Sequence, residues 1–405
     1  MKTSYDILVV GAGPAGTTAA ERLSANGFEV AVLEEHAIIG EPVDCTGVIG
    51  SEALEEFNLP QGLVVGSVNA VSIHSPAGIP VSYQGESPVA YIVDRAELDR
   101  TLAARAKDAG ATFLLSTQAA EVTRDARRVE VSCRCPDGET RRLTAKMLIL
   151  AGGPRFAFHE RLGLGTSSVL WRSAHAELPG NGLSHAHVFL GRDVAPGAFG
   201  WAVPVMRHGN PHLRLGVNSH SDAPRYLRKL CEEKFAHLLP GDGSLPCRSW
   251  VVPVLPVSRT YGDRVLAVGD AAGQVKPTSG GGIYYGMLSA RDAADTVSEA
   301  FRRGKLTREA LAVYEKRWRA RLGFDLRVGT LFRRLFARMA DRDVDDLFRI
   351  IHTDGLLARI TERVSFDWHK ELILSLLKHP KLARILMRRC LDWRAEPAFS
   401  DLPTL

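Results

Sequence analysis

Three clusters of residue types in this sequence have the spacing to do chemistry. The first is Gly11-x-Gly13-x-x-Gly16, which follows the apolar run YDILVV and precedes TTAAERLSANG. The first glycine permits a tight turn and the second lets the backbone approach a pyrophosphate. The third, next to Ala15, lets helix and sheet pack closely, so that the helix N-terminus faces the phosphates. Glu34 stands at the end of FEVAVLEE and can accept hydrogen bonds from ribose hydroxyls. Glu35 is its neighbour, but the strand-end position favours Glu34. The rival reading of this cluster is a tight turn without a ligand. The second cluster is VLAVGDAAGQVKPTSGGGIYYGM (265–287), where Asp270 follows an apolar run and Gly280, Gly281, Gly282 and Ile283 open a helix. It reads as a second cradle for phosphate and sugar. One dinucleotide needs both cradles only if it lies extended between them. The third cluster is EPVDCTGVIG (41–50), which sets Cys45 and Thr46 among turn-forming residues. That thiol could donate a proton, contact a bound ring, or only fill space.

Two further stretches bear on the same chemistry. PGAFGWAVP (196–204) carries Phe199 and Trp201, which read either as pocket lining or as sheet core. Tyr284 and Tyr285 are rival proton donors to Cys45. The thirteen histidines show no metal-ligand spacing, no Ser/His/Asp set is recognisable, and Cys133-Arg-Cys135 alternates like a strand. No metal is expected.

The elements that must position these residues are legible in outline. YDILVV, the glycine turn, a helix stopped at Asn26-Gly27 and FEVAVLEE form one βαβ unit with a parallel, buried sheet. VSIHSPAGIPVSYQ (71–84) reads as a hairpin turning at Ala77-Gly78. DRAELDRTLAARAKDAG (94–110) reads as a helix with Asp94 as N-cap and Gly110 as stop. Alternating strands follow to about 150 and again over 168–218. Residues 222–239 and 282–302 are helical in pattern, and so is everything after 305.

The chain has 405 residues, 45% of them apolar and 24% charged, as in an ordinary globular protein of two or three domains. No run approaches the roughly eighteen apolar residues of a membrane span, and no leader is apparent. Six scattered cysteines argue for a reducing, cytoplasmic setting. The net charge of +5 is uneven: residues 301–395 hold 23 Lys and Arg against 12 Asp and Glu. Leu382, Ile385 and Leu386 fall on a different side of one helix from Arg384, Arg388 and Arg389. That helix reads either as part of a capping bundle or as a basic amphipathic surface at a membrane. Aromatics do not interleave with the basic run, so nucleic acid is not expected.

Taken together, GDAAGQVKPTSGGGIYYG, PGAFGWAVP, GEPVDCTG (40–47) and DRAELDR (94–100) resemble the geranylgeranyl reductase family. That family lies among the flavoproteins related to para-hydroxybenzoate hydroxylase and includes archaeal digeranylgeranylglycerophospholipid reductases. The resemblance implies an α/β fold of glutathione reductase/para-hydroxybenzoate hydroxylase type. It implies a discontinuous Rossmann-type FAD-binding domain (1–67, 86–165 and 259–303), an antiparallel β substrate domain (68–85 and 166–258), and a C-terminal helical region (304–405). It implies FAD held by Gly11, Gly13, Ala15, Gly16, Glu34, Cys45, Thr46, Arg95, Asp270, Gly281, Gly282 and Ile283, with Cys45, Trp201 and Phe199 near the chemistry. The implied reaction hydrogenates C=C bonds of geranylgeranyl or other isoprenoid chains (free, diphosphate or lipid-linked) with hydride from reduced flavin. A lipid-linked substrate favours peripheral contact with the inner face of the membrane. The electron donor, ferredoxin-like or NAD(P)H-linked, has no signature here, since no separate nicotinamide-binding βαβ unit is present.

The sequence departs from the family pattern at three places. Ala151-Gly152-Gly153 lacks the usual Asp, Phe199 replaces a Tyr, and Val203 replaces a Phe. GWAVP is also similar to the Trp-x-Trp-x-Ile-Pro signature of flavin halogenases, with its first Trp missing. A monooxygenase or halogenase of the same fold, or a non-catalytic electron-transfer flavoprotein, are the alternative readings.

Overall fold

The structure, a computed structural model, describes residues 2–356 and 365–391, with side chains to 385 in the last helix. Its central layer is built from the apolar runs. Thr112–Leu114, Val30–Leu33, Ser4–Val10, Thr140–Leu150 and Val265–Ala267 lie side by side in that order, all parallel. Ile7 sits opposite both Val30 and Met147, which fixes the register at the glycine turn. Both faces of this sheet are covered, one by helices and the other by the ribbon over 118–134, so its strands are apolar on both sides; Val30–Leu33 and Val265–Ala267 are wholly buried. A ribbon of Gln118–Arg124 and Val129–Arg134 extends the long 140–150 strand.

The helices Pro14–Ala25, Arg95–Asp108 and Ile283–Arg302 pack over one face of this layer. Ala15, Gly269 and Gly286 let them approach. A Cβ on Gly286 would lie 3.4 Å from the Ala15 Cβ. Asp94 caps the second of these helices by accepting from the Glu97 N–H.

A second sheet runs Arg248–Pro253, Leu170–Pro179, Asn210–Ser219, Phe199–Arg207, Ala186–Phe189, Ala70–His74, Pro80–Gln84. It is antiparallel except where Ala186–Phe189 pairs parallel with Ala70–His74. Those two strands come from distant parts of the chain, so no hairpin dictates their direction. A small sheet of Val48–Gly50, Ala90–Val93 and Val64–Val68 lies just after the Cys45 loop.

The long helix Arg308–Phe336 returns along the 283–302 helix and buries Leu311, Tyr314, Trp318, Leu322 and Leu326 at helical spacing. Asp341–Thr353, Lys370–Lys378 and Pro380–Leu391 follow. Leu382 is buried, and Ile385 packs on the cluster of Leu335, Met339, Val344 and Phe348. The side chains of Leu386, Arg388 and Arg389 lie outside the described ones. The expectation of helix throughout the tail fails at 365–369. There the carbonyls are taken by side chains: Phe366 O accepts from Lys276 Nζ and His369 Nε2, and Asp367 O from Tyr285. No described helix is long and apolar enough to cross a membrane.

Candidate active site

At the first glycine turn, two of the three glycines are required by the protein itself. A Cβ on Gly11 (φ +103°) would collide with Ala151 O, and one on Gly16 with Gly11 O. Gly13 differs, because nothing lies within 4 Å of the Cβ it lacks. It opens the 14–25 helix with no side-chain cap and no acidic residue in the first turn. The first N–H groups of a helix need partners, and this end offers them to an anion. Glu34 sits at the lip. One carboxylate oxygen accepts from Ala12 N at 2.9 Å and the other from His36 N at 3.0 Å. Glu35 turns instead to Gln118 and Arg155.

The second turn repeats the plan. The helix Ile283–Arg302 starts at Gly282, again without a side-chain cap or an early acid. A Cβ on Gly282 would come within 2.7 Å of Asp270 Oδ1, and one on Gly281 within 2.6 Å of Lys276 Cε. Gly269 N donates to Gln274 Oε1, Gln274 Nε2 to Tyr314 OH, and Tyr314 to Ala267 O, each at 2.8 Å. Burial pushes the Asp270 carboxyl up to about 6, with Arg95 pulling the other way. Arg95 itself is gripped by both oxygens of Asp99 at 2.9 and 3.0 Å. That carboxylate and Cys45 hold its guanidinium charged against burial. Its Nε is buried with no partner among the described residues. Two uncapped helix ends, open space over Gly13 and an unpaired Arg95 Nε are what an extended FAD would complete.

The Cys45 loop is fastened between these cradles and the second sheet. Gly47 N donates to Cys45 Sγ at 3.3 Å. Thr46 Oγ1 accepts from Trp201 Nε1 at 3.0 Å, and Thr46 O from Arg214 Nη1 at 2.5 Å. Arg214 is buried against Glu177, Glu177 also binds Arg207, and Arg207 reaches Asp94. This chain ties the start of the Arg95 helix to the β-sheet. Phe199 stacks obliquely on Trp201 (5.8 Å) and edge-on to Trp171 (6.0 Å). Trp201 lies against Gly216, where any side chain would strike its ring. The structure thus brings Cys45, Thr46, Arg95 and Trp201 together, with Phe199 next to Trp201. Tyr284 donates to Glu56 at 2.6 Å and Tyr285 to Asp367 O at 2.9 Å, so both hydroxyl protons are already engaged.

Sequence reasoning missed Arg207, Arg214, Glu177 and the Lys276–Asp367 pair. Lys276 lies inside a quoted motif, yet nothing local names its partner.

A parallel sheet with two glycine cradles and a second, mostly antiparallel sheet laid against them defines an FAD-dependent oxidoreductase fold. The profile of the pyridine nucleotide-disulphide oxidoreductase family matches residues 5–165. A digeranylgeranylglycerophospholipid reductase of Methanosphaerula palustris is 30% identical over 401 residues, covering 94% of this chain and 97% of that one. A geranylgeranyl bacteriochlorophyll reductase-like protein from Thermoplasma acidophilum superposes with a TM-score of 0.82 at 25% identity, covering 95% and 99%. A flavin-dependent brominase (TM-score 0.68, 13% identical, covering 97% and 99%) shares the fold alone. The chain belongs to the geranylgeranyl reductase family that includes the digeranylgeranylglycerophospholipid reductases. It is an FAD-dependent oxidoreductase.

Proposed function

We propose that this enzyme hydrogenates isolated C=C bonds in the isoprenoid chains of lipids. The single observation that carries the reading is the Trp201–Thr46 hydrogen bond, which brings the aromatic strand against the cysteine loop beside Arg95. The names of the relatives supply the substrate class. FAD, when bound and reduced, supplies hydride to one alkene carbon; the other carbon takes a proton. In this reading Gly13 and the 14–25 helix end hold the pyrophosphate and Glu34 holds the adenosine ribose. Asp270 takes the sugar-alcohol hydroxyls, and Arg95, Thr46, Gly281, Gly282 and Ile283 line the flavin end. Gly11, Ala15 and Gly16 shape the turn and its packing. An isolated alkene is poorly polarised, so the site must exclude water and place its acid close. Trp201 and Phe199 supply apolar walls whose faces favour positive charge developing on carbon. Cys45 is the thiol placed to contact the reacting groups. Residues 1–67, 86–165 and 259–303 act as the cofactor unit, 68–85 and 166–258 as the substrate unit, and the basic 304–405 region as the face toward the membrane.

The test is to incubate chemically reduced enzyme with geranylgeranyl-chain phospholipids and weigh the products. The reading requires gains of two hydrogens per double bond. Unchanged lipid in the presence of fully reoxidised flavin rejects it.

A further inference from the structure

We propose that Asp367, on the irregular 365–369 segment, is a positioning residue of the cofactor site: through Lys276 it fixes the place and the net charge of the 280–282 glycine loop. The inference rests on the reading above that this loop lines the flavin end.

Lys276 and Asp367 are both almost dry, with side chains 4% and 2% exposed and Nζ 2.7 Å from Oδ1. Nζ also donates to Phe366 O at 3.0 Å and lies 4.1 Å above the centre of the Phe366 ring. Burial pulls the Lys276 pKa down, and the carboxylate opposes that pull. A buried ion pair stabilises less than an apolar contact of the same volume, whereas either charge alone is costly. Its presence beside a ligand loop therefore asks for a role other than cohesion.

Lys276 is part of the loop it supports. Its N–H donates to Gly281 O at 3.1 Å and its carbonyl accepts from Gly280 N at 2.9 Å. Its stem occupies the place where Gly281 would carry a side chain. Any displacement of the ammonium thus moves the glycines that open the 283–302 helix. Asp367 is fixed in turn by Tyr285, which donates to its carbonyl. Trp368 packs on Tyr285 at 5.5 Å and donates to Glu52 at 2.6 Å. His369 donates to Phe366 O and faces Thr278.

The second carboxylate oxygen of Asp367 has no partner among the described residues. It fills the space in which Gly50 lacks a Cβ, at the end of the strand that follows the Cys45 loop. One side chain from the C-terminal region therefore touches both Lys276, which supports the 280–282 loop, and Gly50, at the end of the strand that leaves the Cys45 loop.

The test uses the holoenzyme and reads the midpoint potential of bound flavin beside FAD affinity. Asp367→Asn, read at a pH low enough to keep Lys276 protonated without its partner, leaves the ammonium uncompensated. This favours added negative charge on the flavin and moves the potential positive, with FAD affinity falling about tenfold or more. Lys276→Gln leaves the carboxylate uncompensated and moves the potential negative. The double variant Lys276→Met/Asp367→Leu returns the potential to near the wild-type value. Opposite shifts in the two single variants are the expected result. If Asp367→Asn does not fold, the negative shift of Lys276→Gln carries the test. Weaker FAD binding with both potentials unmoved overturns the proposal and leaves a structural brace. A wild-type protein that takes up no FAD overturns the earlier reading instead.

Discussion

Around Gly11–Gly16 the wall is mostly backbone: Gly11 O lies against Gly16, Ala151 O, far along the chain, fills the space against Gly11, and Glu34 accepts from Ala12 N. Around Gly280–Gly282 the wall is made of polar side chains. Gln274 leans on Tyr314, 40 residues on, and Lys276 on Asp367, 91 residues on. Both turns open a helix without a side-chain cap. The first is held by backbone sterics, the second by buried polar partners supplied from the C-terminal region. A turn of the first kind fails when a methyl group is added; a turn of the second kind fails when a charge is removed.

The largest expected effect follows from that contrast within one motif. Gly16→Ala drives a Cβ into the carbonyl of Gly11, which cannot swing aside as a side chain could. Overpacking of this sort costs about 1–3 kcal/mol or more, so the melting temperature falls and FAD is lost. Gly13→Ala has open space and an ordinary φ of −70°. Apoprotein stability should stay within about 0.5 kcal/mol, while FAD affinity drops sharply. Calorimetry of the apoproteins with flavin titration separates the two; an unimpaired Gly13→Ala would make this turn structural only. The potential shifts of the Lys276 and Asp367 variants come next, as the matching test of the second cradle.

A smaller effect is set by pH. The folded Asp270 carboxyl sits near 6, above the roughly 3.9 of an unfolded chain. In the apoprotein its stabilising contribution is therefore complete below about pH 4 and is lost as pH rises through about 6. Asp270→Asn lacks that slope, so its melting temperature gains on the wild type across this window. Hydroxyl donors on FAD favour the carboxylate, so FAD binding should tighten as pH rises through the same range. A dissociation constant that is flat from pH 5 to 7, and unchanged in Asp270→Asn, would remove Asp270 from the site. The smallest effect on the fold belongs to Cys45→Ala. Stability should stay within about 0.5 kcal/mol and flavin uptake should persist, with turnover reduced. Full turnover would show that the thiol takes no part in the chemistry.

The same contrast explains what could be read in the sequence. The βαβ unit, the Asp94 cap and the two glycine runs that open helices are local patterns, each contained in a short stretch. Strand position favours Glu34 over Glu35, and Glu34 is the one that accepts from Ala12 N at the turn. Arg214 was not legible, since it clamps Thr46 from a strand 168 residues away. Nor was Asp367, because helical periodicity cannot announce a break whose carbonyls are taken by Lys276 and Tyr285, distant in the chain. The parallel pairing of 70–74 with 186–189 was missed for a related reason: strand direction there follows tertiary docking rather than a turn.

The account stands on one FAD spanning both cradles, and titrating apoprotein with FAD, FMN and ADP tests it most directly. FAD should bind orders of magnitude more tightly than either half, because joining two ligands makes the second contact intramolecular. ADP and FMN should each displace FAD. An FMN affinity equal to that of FAD, with no competition from ADP, would leave the Gly11–Gly16 cradle without its ligand and contradict the account.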